Sequence, residues 1–264
     1  MIPKVIHYCW FGGNPLPELA VKCIESWKKF FPDYKIIEWN ENNWDIHCCD
    51  YVREAYEEKK WAFVADYARF DIIYKNGGLY FDTDVEVIAS MDDIIEQGPF
   101  LGLEEGKIQS FMEATNNRGQ INPGLGMGAP AGLQLYKEIL DRYQTRHFKC
   151  GNNIDLTTVV QFVTDIIAAH GVSIKNELGY CEEIAIYPVD YFCPMEYVTG
   201  EINITSNTRT IHHYTASWIS PTVKKIIRWK NICKTKYGRI LGSMIAFIIT
   251  LPLKIKNKFE QVKK

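Results

Sequence analysis

Several common sequence features are missing from this chain of 264 residues. Its eight cysteines include no Cys-x-x-Cys pair, which argues against a zinc ribbon or a thioredoxin-type motif. No apolar run reaches the ~20 residues of a membrane-spanning helix, and the first residues lack the long apolar segment of a signal peptide. We therefore expect a cytoplasmic protein with reduced thiols.

The net charge is also low, at −2, but it is the sum of an acidic region and a basic region. Residues 224–264 hold twelve Lys or Arg and one acid, Glu260, which leaves 18 bases and 31 acids in the first 223 residues. Between the basic clusters, Ile240 to Leu253 forms an apolar stretch of fourteen residues. The pattern favours a helix lying on an anionic membrane surface, and packing on the protein or on a second subunit is the alternative.

We accordingly predict two parts, an enzyme domain over residues 1–219 and a basic, apolar helical tail over residues 220–264. The tail would hold the protein on the inner face of a membrane, as a peripheral and cytoplasmic protein. No nucleic-acid partner is expected.

Hydrophobic periodicity predicts a layered α/β fold for the first part. A strand-helix-strand beginning favours parallel strands, and the helix before Gly77 is apolar on more than one face, which indicates burial. In chain order, the predicted elements are a strand at 5–11, a helix at 19–30, strands at 35–39, 79–81 and 85–87 with a helix at 61–75 before the last two, a glycine-rich loop at 119–132, helices at 133–146 and 156–170, and strands near 184–187 and 210–213.

Asp82-Thr83-Asp84 interrupts the predicted strands that follow Gly77-Gly78. In an extended segment, residues two apart project to the same side, so both carboxylates could face one hard divalent cation. A solvated turn is the alternative. The pair follows an aromatic strand, at the kind of sheet edge where α/β proteins bind ligands, which favours the metal site.

Asp66 and Arg69 lie three residues apart on the buried helix and therefore on one face. An internal salt bridge is one reading. Because a buried charged pair is costly unless it is fully hydrogen-bonded or opens onto a polar site, a functional role is the other.

His212-His213 and Ser217-Trp218 form a third group, near the end of the first part. Neutral imidazole is a good ligand for Mn-type ions. Adjacent residues of a strand face opposite ways, so at most one of the two histidines would reach an ion. One core and one surface histidine is the alternative.

Taken in order, these motifs strongly resemble the glycosyltransferases with a DxD sugar-binding region, known as family 32, which include bacterial capsular-polysaccharide transferases. The more distant resemblance is to the glucosylating domains of clostridial toxins. The resemblance extends over roughly residues 2–218. The segments that carry it are Ile2 to Gly13, Ala65 to Phe70, Gly77 to Asp84, His212-His213 and Ser217-Trp218.

The resemblance implies a GT-A fold and a metal-dependent, retaining transfer of a hexose from a nucleotide sugar, UDP-linked by analogy with the bacterial members. The acceptor would be a glycan or a lipid-linked oligosaccharide in surface polysaccharide synthesis, and the cofactor Mn²⁺ or Mg²⁺.

Family roles carried over by motif give each candidate residue a task. Trp10 would stack on the base, Asp66 and Arg69 would hold ribose and donor-sugar hydroxyls, and Asp82 would contact ribose or sugar. Asp84 would bind the metal directly, with His213 as a second protein ligand. The remaining residues are Ser217 and Trp218, which would close over the diphosphate, and Asn122, which would approach the donor sugar.

Two other functions stay open from the sequence. A sugar nucleotidyltransferase shares the layout and the metal, but Phe11-Gly12-Gly13-Asn14 lacks the Arg and Lys that a triphosphate loop needs. A non-catalytic, membrane-attached glycan-binding subunit is the other alternative.

Overall fold

The structure is a computed structural model that describes residues 1–105, 119–151, 153–197, 200–215, 222, 225–226, 229, 232–233 and 236–262. The chain forms two units. The first contains Met1–Met195 and Asn203–His213, and the second contains Glu196–Ile202 and Tyr214–Lys264. The domain boundary predicted at residue 219 lies outside the described residues.

The first unit begins with strand β1 (Val5–Cys9), helix α1 (Glu18–Phe30) and strand β2 (Lys35–Trp39), as predicted. The two strands pair in parallel, with Val5 opposite Lys35. Helix α1 buries Ala20, Cys23, Ile24 and Trp27, whose spacing puts them on one face. This helix supplies the crossover that parallel neighbours require.

Helix α2 (Asp50–Glu57) was not predicted, whereas α3 (Trp61–Asn76) matches the predicted buried helix. Eleven of the 16 residues of α3 are buried, because the helix packs against strands on one side and neighbouring helices on the other. Gly77 ends α3 with φ 64°. A side chain there would also meet Pro3 and the backbone of Ala131, so this position requires glycine.

His7 on β1 fixes the end of α3. Its Nε2 donates to the carbonyl oxygen of Gly77 at 3.0 Å, and its Nδ1 accepts from Trp39 Nε1 at 2.9 Å. Burial lowers the pKa of His7 to about 4. The imidazole is therefore neutral at physiological pH and has a structural role.

The rest of the first unit alternates short strands and helices. In chain order these are β3 (Gly78–Tyr80), β4 (Val85–Val87), α4 (Asp92–Ile95), β5 (Phe100–Glu105), β6 (Gly119–Ile121), β7 (Met127–Ala129), α5 (Gln134–Gln144), β8 (Lys149–Cys150), β9 (Asn153–Ile154), α6 (Val159–Ala169), β10 (Gly179–Cys181), β11 (Ile184–Tyr187), α7 (Val189–Phe192) and β12 (Thr210–His212).

The main sheet has the order β10-β11-β5-β7-β3-β1-β2, with β6 beside β5. The pairs β1/β2, β1/β3 and β5/β11 are parallel, and those made by β6, β7 and β10 are antiparallel. The predicted α/β class is confirmed. The glycine-rich loop predicted at 119–132 is wrong, because β6 and β7 lie within it.

Strand β4 does not continue the main sheet after β3. It pairs antiparallel with β12 in a separate two-stranded sheet, with Val85 opposite His212. The chain therefore leaves the main sheet at residues 81–84, and the residues that follow the acidic motif meet a segment from much later in the sequence.

In the second unit, helix α8 (Arg239–Val262) includes the apolar stretch, and Pro252 lies inside the helix. The helical tail predicted from the sequence is confirmed as a helix over Arg239–Val262. Within the described part of the chain, no helix has both the length and the apolar character needed to cross a membrane.

Candidate active site at the Asp82–Asp84 loop

Backbone hydrogen bonds fix both ends of the loop between β3 and β4. Asp82 N–H donates to the Gly124 carbonyl at 3.0 Å, and the Asp84 carbonyl accepts from His213 N–H at 2.9 Å. The loop follows the carboxyl end of β3, whose neighbour β1 runs parallel to it. It thus occupies the edge of the sheet where α/β proteins commonly bind ligands.

Asp82, Asp84 and His212 form a cluster at this edge. One ligand atom from each of the three side chains lies within 4.8 Å of the other two, and His212 Nε2 is 3.3 Å from Asp84 Oδ1. Two carboxylates and an imidazole are a donor set that suits a divalent cation of the Mn type. The residues present fit the metal that the sequence predicts.

The side chains of the two adjacent histidines contact different acids. His213 Nε2 lies 2.8 Å from Glu86 Oε2, and Lys22 Nζ is within 3.1 Å of the same carboxylate. Burial opposes ionisation of Glu86, but the bonds from His213 and Lys22 hold the pKa of this carboxyl below its usual value. The structure thus places His212 at the acidic pair, whereas the sequence had favoured His213 and left the choice open.

Arg69 connects α3 to the loop. Its Nη2 donates to Asp66 Oδ1 at 2.8 Å and lies 3.3 Å from Asp82 Oδ1, while its Nε donates to the Ala65 carbonyl at 3.1 Å. The exposed fraction of the side chain is 4% for Arg69, 10% for Asp66 and 29% for Asp82. The pair is therefore an internal salt bridge that also holds an acid of the loop.

Burial raises the pKa of Asp66 to about 6, a shift that Arg69 opposes and Asp82 reinforces. For Arg69, burial lowers the pKa, but Asp82 and the other neighbours more than compensate and raise it above its usual value. For His212, burial likewise lowers the pKa, and Asp84 outweighs burial and raises it well above the ordinary value. The protonation states of these three side chains thus depend on burial and on the nearby acids Asp82 and Asp84.

Asn122 follows β6 and braces the same loop from another direction. Its Oδ1 accepts from Gly124 N–H at 2.8 Å, and its Nδ2 donates to the buried Glu104 carboxylate at 2.9 Å. A Cβ on Gly124 would overlap Asp82 Oδ2. The segment 122–124 therefore has to approach Asp82 closely, which only a glycine allows.

Sequence reasoning did not identify Tyr80, Glu104 or Gly124 as part of this arrangement. Tyr80 OH donates to Asp82 Oδ1 at 3.0 Å, and the Arg69 guanidinium carbon lies 5.1 Å from the centre of the Tyr80 ring. The Pro-Gly step after Asn122 was the one available signal for Gly124. Nothing in the local sequence marked Glu104, because neither its own strand, β5, nor the neighbouring strand β6 was predicted.

Trp10 lies just after β1, at the edge of the sheet that carries Asp82. Its side chain is half-buried, its Nε1 donates to the Asn14 carbonyl at 2.6 Å, and its backbone N–H donates to the Trp39 carbonyl at 2.9 Å. Ser217 and Trp218 lie outside the described residues.

Comparison with known proteins gives a match over part of the chain. Residues 17–101, which include Asp66, Arg69, Asp82 and Asp84, match the family described as glycosyltransferase sugar-binding region containing DXD motif. The resemblance to family 32 is confirmed for this segment.

Two curated relatives illustrate the similarity. Inositol phosphoceramide mannosyltransferase 3 of Schizosaccharomyces pombe is 31% identical over 98 residues, which cover 36% of this chain and 27% of that protein. Uncharacterized glycosyltransferase L373 of Acanthamoeba polyphaga mimivirus is 30% identical over 110 residues, which cover 38% of this chain and 42% of that protein. The chain thus spans less than half the length of these relatives.

Among solved structures, PaToxG glycosyltransferase superposes with a TM-score of 0.45 and 15% identity. The match covers 64% of this chain and 69% of that one.

Proposed function

We propose that this chain is a metal-dependent glycosyltransferase that moves a hexose from a nucleotide sugar to a glycan or lipid-linked acceptor. The observation that carries the proposal is the cluster of Asp82, Asp84 and His212. The two acids of this cluster, and Arg69 behind them, belong to the matched DXD segment. In place of the predicted His213, we propose His212 as the histidine ligand.

A cation bound by Asp82, Asp84 and His212 would supply charge stabilisation for the nucleoside diphosphate that leaves. Other residues of the chain hold these ligands in position. Arg69 and Tyr80 orient Asp82, and the segment held by Asn122 closes one side of the loop. Fixed donors and charges of this kind stabilise a developing negative charge without reorganising during the reaction.

The donor-binding roles stay proposals based on the family resemblance. They assign Trp10 to the base, and Asp66 and Arg69 to ribose and sugar hydroxyls through the face that they share with Asp82. Ser217 and Trp218 would close over the diphosphate. Retention of the anomeric configuration is proposed on the same ground, since a retaining enzyme of this kind needs no dedicated carboxylate nucleophile.

We further propose a UDP-hexose donor and a role in bacterial surface or capsular polysaccharide synthesis. Two relatives are named inositol phosphoceramide mannosyltransferases of Schizosaccharomyces pombe, which makes mannose the alternative sugar. GDP-mannose is therefore the donor to compare.

The test is release of nucleoside diphosphate from UDP-glucose, UDP-galactose and GDP-mannose by the full chain with Mn²⁺. Asp84→Asn should lower the rate at least ~100-fold while the chain stays folded, because several kcal/mol of charge stabilisation disappear. Excess EDTA should have the same effect, and added Mn²⁺ should reverse it.

Asp50→Asn is the matched control, since Asp50 is an exposed acid that pairs with Arg53 on α2. Full turnover by Asp84→Asn or in excess EDTA would contradict metal dependence. No release from any of the three donors would favour a non-catalytic glycan-binding protein.

We also propose that the tail attaches the protein to the cytoplasmic face of a membrane. Helix α8 leaves Leu241, Met244, Phe247, Ile248 and Leu251 exposed, each by at least 43%. Exposed apolar side chains in the same segment as twelve bases suit an interfacial helix, which gains about 1 kcal/mol per Lys or Arg near anionic lipid. A lipid-linked acceptor would be found at the same surface.

A further inference from the structure

A cavity of about 310 Å³ opens between α3 and the segment that follows β2. Its walls include two tryptophans, two acids, a lysine and an amide, namely Trp39, Trp44, Asp45, Asp71, Lys75 and Asn76. None of its lining residues belongs to the Asp82–Asp84 site. The cavity therefore needs an explanation of its own.

Hydrogen bonds hold both indoles in place. Trp44 Nε1 donates to Asp71 Oδ2 at 2.9 Å, and Trp39 Nε1 donates to His7 Nδ1 at 2.9 Å. Asp71 is 6% exposed, and its carboxylate also accepts from Lys75 Nζ at 2.8 Å. The walls of the cavity are thus ordered before any ligand arrives, which lowers the entropic cost of binding.

Hydrogen-bonding groups surround these rings at the mouth of the cavity. Asp45, Lys75 and Asn76 are exposed. The lysine has ammonium protons beyond the one that Asp71 accepts, and Asp45 has a second carboxylate oxygen besides the one that accepts from His47 N–H at 2.9 Å.

Trp44 is 9% exposed because its ring packs on Phe11 and Tyr67, so the half-buried Trp39 offers the larger apolar face. An apolar face with polar groups around it is typical of small-molecule sites.

We propose that this cavity binds one neutral sugar residue of a glycan. A sugar ring has an apolar C–H face that packs on an indole and hydroxyls at its edge that both donate and accept hydrogen bonds. The volume lies at the lower end for ligand sites and suits a single ring. Two carboxylates against one ammonium disfavour an acidic sugar.

Such a site would hold a glycan acceptor away from the reacting hydroxyl, and in that respect the inference deepens the proposed function and rests on it. Sugar binding itself requires neither metal nor donor. The test is therefore done in EDTA without a nucleotide sugar, so that failure of the transfer reaction and failure of this site are separate results.

The measurement is a ¹H–¹⁵N spectrum of the full chain titrated with methyl glycosides of glucose, galactose and mannose. The seven tryptophans give seven indole signals, and Trp39→Phe and Trp44→Phe assign the two of interest. With at least one glycoside, both signals should shift and saturate by ~50 mM, as expected for a millimolar Kd. Glucuronic acid should bind about tenfold more weakly.

Lys75→Met should weaken binding of that glycoside about fivefold, the effect of losing one hydrogen bond. Lys137→Met is the matched control, because Lys137 forms the same kind of ion pair four residues along a helix, with Asp141. Asp84→Asn should bind the glycoside as the unmodified chain does. The inference is overturned if no glycoside shifts the two signals, if Lys75→Met and Lys137→Met bind alike, or if uridine shifts the signals and the glycosides do not.

Discussion

Helices α3 and α8 are both rich in apolar residues, but α3 is mostly buried whereas α8 exposes many of its apolar side chains. Eleven of the 16 residues of α3 are buried, including Asp66 and Arg69. In α8, by contrast, Met244 is 62% exposed and Ile248 is 70% exposed. Apolar content alone thus does not determine burial. Packing surfaces surround α3, whereas α8 keeps an apolar face in contact with solvent.

The energetic consequences differ accordingly. Burial of a large apolar side chain contributes about 1.5–3 kcal/mol, and the exposed side chains of α8 do not gain this within the chain. Another surface that covers them could therefore provide it. In α3, most apolar side chains are already buried, and the buried ion pair is expensive unless its hydrogen bonds are satisfied. Changes in α3 should therefore alter the proposed transfer activity, and changes in α8 should alter the proposed membrane binding.

The largest expected effect is on the charged pair of α3. Asp66→Asn should lower kcat/KM for the donor about 100-fold. Arg69 would then pair with Asp82 alone and pull the Asp82 carboxylate away from Asp84 and His212. Stability should change less, since burial already raises the pKa of Asp66 to about 6. Steady-state kinetics and thermal unfolding measure the two effects.

Glu54→Gln is the control, because Glu54 is also buried and accepts bonds from His147 and Lys149. Its substitution should cost stability and leave the kinetics unchanged. If Asp66→Asn lowers only the Tm, with the donor KM and turnover intact, the pair is purely structural and its donor role is wrong.

A smaller effect is expected at α8. Replacing Phe247 and Ile248 together by serine should weaken binding to anionic vesicles at least ~10-fold, because two apolar side chains no longer insert. Turnover with a water-soluble acceptor should stay within about twofold. Vesicle co-sedimentation measures binding, which should also weaken as salt rises.

Val21→Ser is the matched control on α1, where Val21 is 46% exposed. It should bind vesicles as the unmodified chain does. Unchanged binding by the α8 variant would contradict the membrane role and favour packing or self-association of the helix.

The last effect is on stability and concerns the cap of α3. The pKa of His7 falls from 6.5 to about 4 on folding, so between these values the unfolded chain takes up a proton that the native state does not. The associated stability is present above pH 6.5 and is lost as pH falls, by about 2 kcal/mol at pH 5. The difference in unfolding free energy between wild type and His7→Gln should shrink by that amount from pH 7 to pH 5.

Denaturant unfolding at the two pH values measures this difference, and comparison of the variants removes the opposing contribution of Asp66. Equal pH dependence in His7→Gln and wild type would show that His7 does not carry the effect.

Local sequence pattern was sufficient for several elements, although it missed helix α2 and strand β5. The bounds of α1, β2, α3 and β11 agree with prediction within a residue or two, since a proline, a glycine or, for β2, an asparagine-rich turn follows each apolar run. The strands β6 and β7 were taken for a loop because three-residue strands that contain glycine show no such period.

The site shows the same limit more sharply. Asp82 and Asp84 could be recognised because their spacing is local. The choice between His212 and His213 depends on which face β12 presents, and pairing with β4 sets that face. The brace formed by Glu104 and Asn122 likewise joins two strands that a single sequence does not pair.

Synthesis on the ribosome adds a constraint of timing. The acidic loop is bonded to Gly124 on one side and to His213 on the other, both far along the chain. At ~5–20 residues per second, α3 emerges many seconds before β12 does. Nascent chains that end before residue 212 therefore lack the histidine of the Asp82–Asp84 cluster, and the three side chains come together only after β12 has been made.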